Sequence, residues 1–162
     1  MKIRTILVPT DFSEQAEAAR LYAFQLAGEF SSRVHLLHVV APPYLYDAWG
    51  TEAATLRMVD LLGQVEESAA VQLKKLVPTK GRLAGRVVAQ TMTGIAVDQI
   101  LAYAVEKRAD LIVMGTHGRG VVGHMLLGSV AERVVHRAPV PVLLMPPTRA
   151  AGVGRRRPRR TR

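Results

Sequence analysis

The chain has 162 residues, no cysteine, 22 lysines and arginines against 13 acids, and a net charge of +9. Such a length suits one domain with a real hydrophobic core, and the lack of cysteine excludes disulfides, thiolate metal sites and a thiol nucleophile. Seven of the arginines lie in the last fourteen residues, so the rest of the chain carries only +2 and the basic character sits in a tail. Residues 3–9 (Ile-Arg-Thr-Ile-Leu-Val-Pro) read as a first strand, closed by Pro9. Thr10-Asp-Phe-Ser13 follows as a turn, with Ser13 as an expected helix N-cap. Ala16, Ala19, Ala23, Leu26, Ala27 and Phe30 recur at helical spacing, so a first helix runs to about Glu29. Arg33 to Val40 is a second strand. The next ten residues carry two prolines and three aromatics and read as a surface loop. Thr51 to Val77 is a long helical segment, stopped by Pro78 and Gly81.

Gly85 to Met92 is the third strand, closed by Gly94, and Val97, Ile100, Leu101 and Ala104 mark one face of the following helix. Leu111 to Met114 is a short unbroken apolar run, the signature of a strand buried on both faces of a parallel sheet. Glycines then fall at 115, 118, 120, 123 and 128. Ser129-Val-Ala-Glu132 has the capping-box pattern, with Ser129 as N-cap and Glu132 at N3. A buried strand thus runs into a glycine loop, and the loop into a helix N-terminus, where free N–H groups and the macrodipole favour an anion. Ser129 to about Arg137 is the last full helix. Pro139 to Met145 is the fifth strand, and its prolines lack ladder donors, which predicts an edge position. From Thr148 onward no apolar period remains, so residues 1–147 form the expected domain and 148–162 an expected disordered tail.

Strands alternate with helices throughout, which predicts a parallel sheet covered on both faces. Ligands of such sheets sit beyond the carboxyl ends of the strands, where the strand order reverses. The Pro9-Thr10-Asp11 turn and the Gly115 loop both follow strand ends and are expected to face one crevice. Gly118-Arg-Gly-Val-Val-Gly123 also reads literally as Gly-x-Gly-x-x-Gly. It follows the fourth strand rather than the first, and no acid occurs after Glu132, so it is not a dinucleotide fingerprint. A P-loop is absent from the sequence.

Pro9-Thr-Asp-Phe-Ser13, His38-Val-Val40 and Gly115-x2-Gly118-x9-Gly128-Ser129 together resemble the universal stress protein family, over residues 1 to about 146. The resemblance implies a five-stranded parallel sheet of order 3-2-1-4-5, a Rossmann-like α/β fold, with ATP in the crevice. It implies backbone N–H groups of Gly115, Gly118, Gly128, Ser129 and Val130, with the Ser129 hydroxyl, at the phosphates. Asp11 would accept a hydrogen bond from the ribose. Thr10, Val40 and Met114 would line the adenine slot, with Pro9 among the contact residues. Arg119 is open between a phosphate partner and a solvated loop arginine, and Mg could arrive through the phosphates. The resemblance also implies a homodimer through the edge strand Val140 to Met145.

The five histidines show no metal-ligand spacing with a third partner. His117 is read as a bystander. No Ser/His/Asp signature or paired carboxylates accompany the crevice motifs, so no catalytic residue is assigned. The expected function is a cytoplasmic nucleotide-dependent switch or sensor in stress response. A slow ATPase or phosphotransferase is the alternative. A third reading is a nucleic-acid-associated protein, bound through the arginine tail. No run reaches the roughly 18 apolar residues of a membrane helix, and no secretory h-region is present.

Overall fold

The computed structural model describes residues 2–42, 52–117 and 127–146, with backbone alone over 52–58. The elements follow in strict alternation: β1 (Thr5–Pro9), α1 (Glu14–Phe30), β2 (Arg33–Val40), α2 (Glu52–Lys75), β3 (Val87–Thr93), α3 (Ala96–Glu106), β4 (Leu111–Gly115), α4 (Ser129–Arg137) and β5 (Val142–Met145). All strands pair in parallel, in the order β3-β2-β1-β4-β5. This is the order that the family resemblance implies.

Side-chain alternation divides the sheet into two packed layers. Ile6, Val8, Val34, Leu36, Leu111 and Val113 face α1 and α2, against Ala19, Ala23, Ala27 and Leu73. Leu7, Leu37, Ile112 and Met114 face α3 and α4, against Val97, Ile100, Tyr103, Ala131 and Val134. The helical stripe of α1 is alanine throughout, so its backbone lies close to the sheet. Every residue of β4 is buried, as its unbroken apolar run predicts.

Three strand limits move inward from those the sequence suggests. Pairing of β1 begins at Thr5, because the Asp110 carboxylate accepts the N–H groups of Arg4 (2.7 Å) and Thr5 (2.9 Å) just before the ladder starts. Strand β3 begins at Val87, since Gly85 turns the chain at φ 75°. Strand β5 begins at Val142 and lies at an edge, where Pro139 and Pro141 cost no ladder donor. Its Val142 and Leu144 pack towards α3 and α4, and its Leu143 and Met145 towards α1 and α2; none of the four is fully buried.

Strand β2 carries His35 and His38, which alternation sends to opposite faces. His35 is buried beneath α3, where its Nδ1 and the Tyr103 hydroxyl share a hydrogen bond of 3.0 Å. Burial, helped by Arg33 and Lys107, lowers the proton affinity of this imidazole below the ordinary histidine range. Burial also pushes the Tyr103 hydroxyl up. At mildly acidic pH the unfolded chain therefore binds a proton that the folded chain refuses. The stability from neutral His35 is complete above the ordinary histidine pKa and is lost as pH falls from there towards the folded value. We expect the urea midpoint to drop between about pH 7.5 and about pH 5.5, across the histidine range. The drop should shrink in His35→Gln, which cannot ionise. An equal drop in both proteins would remove His35 as its source.

Candidate functional site

Helices α1 and α2 cover one face of the sheet and α3 and α4 the other, so the winding reverses between β1 and β4. A cavity of about 310 Å³ opens there, within the size range of small-molecule sites. One wall is the turn Pro9, Thr10 and Asp11, with Ala16 of α1 behind it. The floor is apolar: Leu37 and Val39 of β2, Met114 of β4, and Ala96 and Ile100 of α3. The rest of the lining is Gly115, Thr116 and His117, with Gly128 to Ala131 at the start of α4.

Of the residues singled out from the sequence, Pro9, Thr10, Asp11, Met114, Gly115, Gly128, Ser129 and Val130 therefore meet at one cavity. Gly118 and Arg119 lie outside the described residues, as do the loop with the aromatics from Tyr44 to Trp49 and the arginine tail. Val40 is buried but does not line the cavity; Val39 does. The reason is the two-residue period of a strand. Val39 shares the α3/α4 face with Leu37, whereas the Val40 carbonyl accepts the Gly94 N–H at 3.0 Å where β3 ends. Sequence reading also missed Ala96, Ile100 and Thr116. Alternation in β2 groups Leu37 with Val39, yet only the tertiary fold says which face is concave.

One expectation about the glycine loop needs correction, and one residue of it gains a second role. Ser129 is not the N-cap of α4. Gly128 is, in extended geometry (φ −71°, ψ 152°), and among the described residues no side chain caps the helix. The Gly128 N–H donates to the Thr116 carbonyl at 2.8 Å, which holds residue 128 at the cap position and starts the helix with Ser129. The Ser129 hydroxyl is consequently exposed on the cavity wall and is not spent on capping. Gly115 is needed for space rather than only for its N–H. A Cβ there would stand 2.9 Å from Gln15 Cβ and 3.0 Å from the Gln15 backbone carbon, so glycine lets α1 pass across the end of β4.

The helix starts around the cavity differ in what they offer. At α1 side chains take part of the cap: the Ser13 hydroxyl accepts the Ala16 N–H (3.2 Å), and the Asp11 carboxylate accepts the Ser13 N–H (3.0 Å). Helix α3 meets the cavity with its first residue, Ala96, and with Ile100 one turn on, while its cap residue Ile95 lies outside the lining. Helix α4 meets it end-on, with its cap and first three residues. The first N–H groups of a helix lack intrahelical partners, and the positive end of the macrodipole lies with them. The acid of that first turn, Glu132, is exposed and does not line the cavity. The site thus joins an apolar slot, a carboxylate and a positive helix end.

The profile of the universal stress protein family matches residues 2–146. A universal stress protein of Methanocaldococcus jannaschii, MJ0531, is 33% identical over 143 residues, covering 88% of this chain and 81% of the relative. One from Thermus aquaticus is 34% identical over 144 residues, covering 88% and 98%. Among solved structures, the M. jannaschii protein MJ0577 superposes with a TM-score of 0.76 at 26% identity, covering 93% of this chain and all of that one. Two structures of the same fold are nucleotide complexes. A universal stress protein with cAMP shares 22% identity (TM-score 0.59, covering 91% and 100%), and one from Archaeoglobus fulgidus with dAMP shares 20% (TM-score 0.57, covering 90% and 99%). With the profile spanning nearly the whole described fold and a third of residues identical to full-length relatives, the chain belongs to the universal stress protein family.

Proposed function

We propose that this universal stress protein holds ATP in the crevice between β1 and β4 and acts as a nucleotide-dependent switch in stress response. The observation that carries the reading is the end-on approach of α4, whose cap residue Gly128 has no side chain to spend on its N–H groups, to a cavity that Asp11 also lines. Phosphate suits the Ser129 and Val130 N–H groups and the Ser129 hydroxyl. The apolar slot of Leu37, Val39, Met114 and Ile100 suits a base. Asp11, in the same lining, suits ribose hydroxyls, which donate to a carboxylate. That the fold can carry adenine nucleotides in other proteins, as cAMP and dAMP, supports the choice of base. Among the described residues no group of three or more His, Asp or Glu side chains is arranged to hold a metal ion. We further propose a homodimer through the β5 edge, whose apolar side chains are only partly covered within one chain.

Calorimetric titration of the purified protein with ATP, ADP, AMP and GTP tests the reading, with sedimentation of the same sample reporting its mass. ATP should bind in preference to GTP, the particle should have twice the chain mass, and labelled ATP should turn over slowly or not at all. Asp11→Asn keeps the shape of the side chain and should cost about 1–2 kcal/mol of affinity, the scale of a charged hydrogen bond. A parent protein that ignores all four nucleotides would sink the nucleotide reading. A monomer at high micromolar concentration would sink the dimer.

A further inference from the structure

We propose that His38 is a positioning residue that holds the Thr10–Ser13 turn in the form that presents Asp11 to the cavity; the effect on affinity rests on the nucleotide reading above. His38 does not line the cavity. It stands on the other face of β2, beneath the turn, and acts through the backbone.

The His38 Nδ1 lies 2.8 Å from the Thr10 carbonyl oxygen. A carbonyl oxygen only accepts, so Nδ1 carries the hydrogen and donates it. The Thr10 N–H in turn donates to the Leu37 carbonyl at 2.8 Å. Two consecutive residues of β2 thus hold both backbone groups of Thr10, which orients the peptide planes on either side of it. From that fixed point the turn is closed by side-chain oxygens. Thr10 Oγ1 accepts the Phe12 N–H at 3.1 Å, and Asp11 Oδ1 accepts the Ser13 N–H at 3.0 Å.

The turn carries strain that needs a holder. Phe12 sits at φ 63°, in the left-handed region that bulky residues adopt only when the surroundings compensate. The same imidazole contributes to the compensation: its ring lies 4.5 Å from the Phe12 ring, centroid to centroid, at 35°, while Phe12 also packs against the core. One side chain therefore holds the carbonyl of Thr10 by a hydrogen bond and the ring of Phe12 by contact. Without it, Phe12 relaxes towards right-handed φ and carries the Asp11 carboxylate with it.

The test compares the parent with His38→Leu, His38→Asn and His38→Gln. It reads ATP affinity by calorimetry and, without nucleotide, hydrogen exchange of the Phe12 and Ser13 amides. The Asn side-chain nitrogen is one bond from Cγ, where Nδ1 stands; that of Gln is one atom farther. We expect Asn, which restores the hydrogen bond but not the ring contact, to stay closer to the parent than Gln in both affinity and exchange. Leu and Gln should lose about 5–30-fold in affinity, the worth of one hydrogen bond, and should exchange faster at those two amides but not in β2 or β4. If Leu fails to fold, the Asn and Gln pair carries the same comparison. Equal behaviour of Asn and Gln, or faster exchange with unchanged ATP affinity, overturns the proposal. Should the parent bind no nucleotide, the nucleotide reading falls, and the exchange difference between Asn and Gln decides alone whether His38 holds the turn.

Discussion

Ala96→Phe should leave the protein folded and reduce ATP affinity by about 100-fold or more, equivalent to roughly 2.7 kcal/mol. Ala96 is the first residue of α3, and it lines the cavity floor beside Leu37, Val39, Ile100 and Met114. A phenyl ring there enters a cavity rather than packed core, so the strain that normally accompanies a larger core residue is largely avoided. The ring would occupy the slot assigned to the base. It would leave α4, Ser129 and Asp11 untouched. The prediction therefore splits the ligand in two: ATP binding should be lost, while inorganic tripolyphosphate should bind the variant as weakly or as strongly as it binds the parent. Calorimetry with both ligands, beside a thermal melt, is the measurement. If ATP binds Ala96→Phe as it binds the parent, the base lies elsewhere and the slot has been misassigned.

Gly115→Ala should destabilise the fold by about 1–3 kcal/mol, the usual cost of forcing a methyl group into packed space. For a chain of this length that corresponds to a melting temperature lowered by roughly 2–4 °C per kcal/mol. The new Cβ would meet both Cβ and backbone carbon of Gln15, at 2.9 and 3.0 Å. The first of these contacts could be relieved by trimming Gln15, the second only by moving α1. Displacement of α1 carries Ala16 and the Ser13 cap with it, and both adjoin the Asp11 turn. Nucleotide affinity should therefore fall together with stability, and Gln15→Gly in the same chain should restore only part of either. A Gly115→Ala protein of parental stability that binds no ATP would contradict the packing account and return Gly115 to a purely ligand-facing role.

Much of this architecture is legible in the sequence because it rests on local periodicity. The unbroken run Leu111–Met114 announces a strand buried on both faces, and β4 is buried at every residue. Ser13 caps α1 as its type and place predict. Pro139 and Pro141 announce an edge, because an edge is where a missing donor is harmless. The meeting of the Pro9-Thr10-Asp11 turn with the Gly115 loop follows from one topological rule about strand ends.

What the sequence could not determine depends on contacts between distant residues or on a single step of register. Val39 rather than Val40 lines the cavity, because moving one residue along a strand exchanges its faces. Ser129 is freed from capping by the bond between Gly128 and Thr116, across the whole glycine loop. Gly115 belongs to the crevice motif, yet its missing side chain makes room for Gln15, 100 positions earlier in the chain. His35 and His38 look alike in sequence. Tertiary structure gives one a tyrosine 68 residues away and the other a carbonyl 28 residues back. Composition and periodicity report how each segment buries itself; only the folded chain decides which polar atoms are left facing one another.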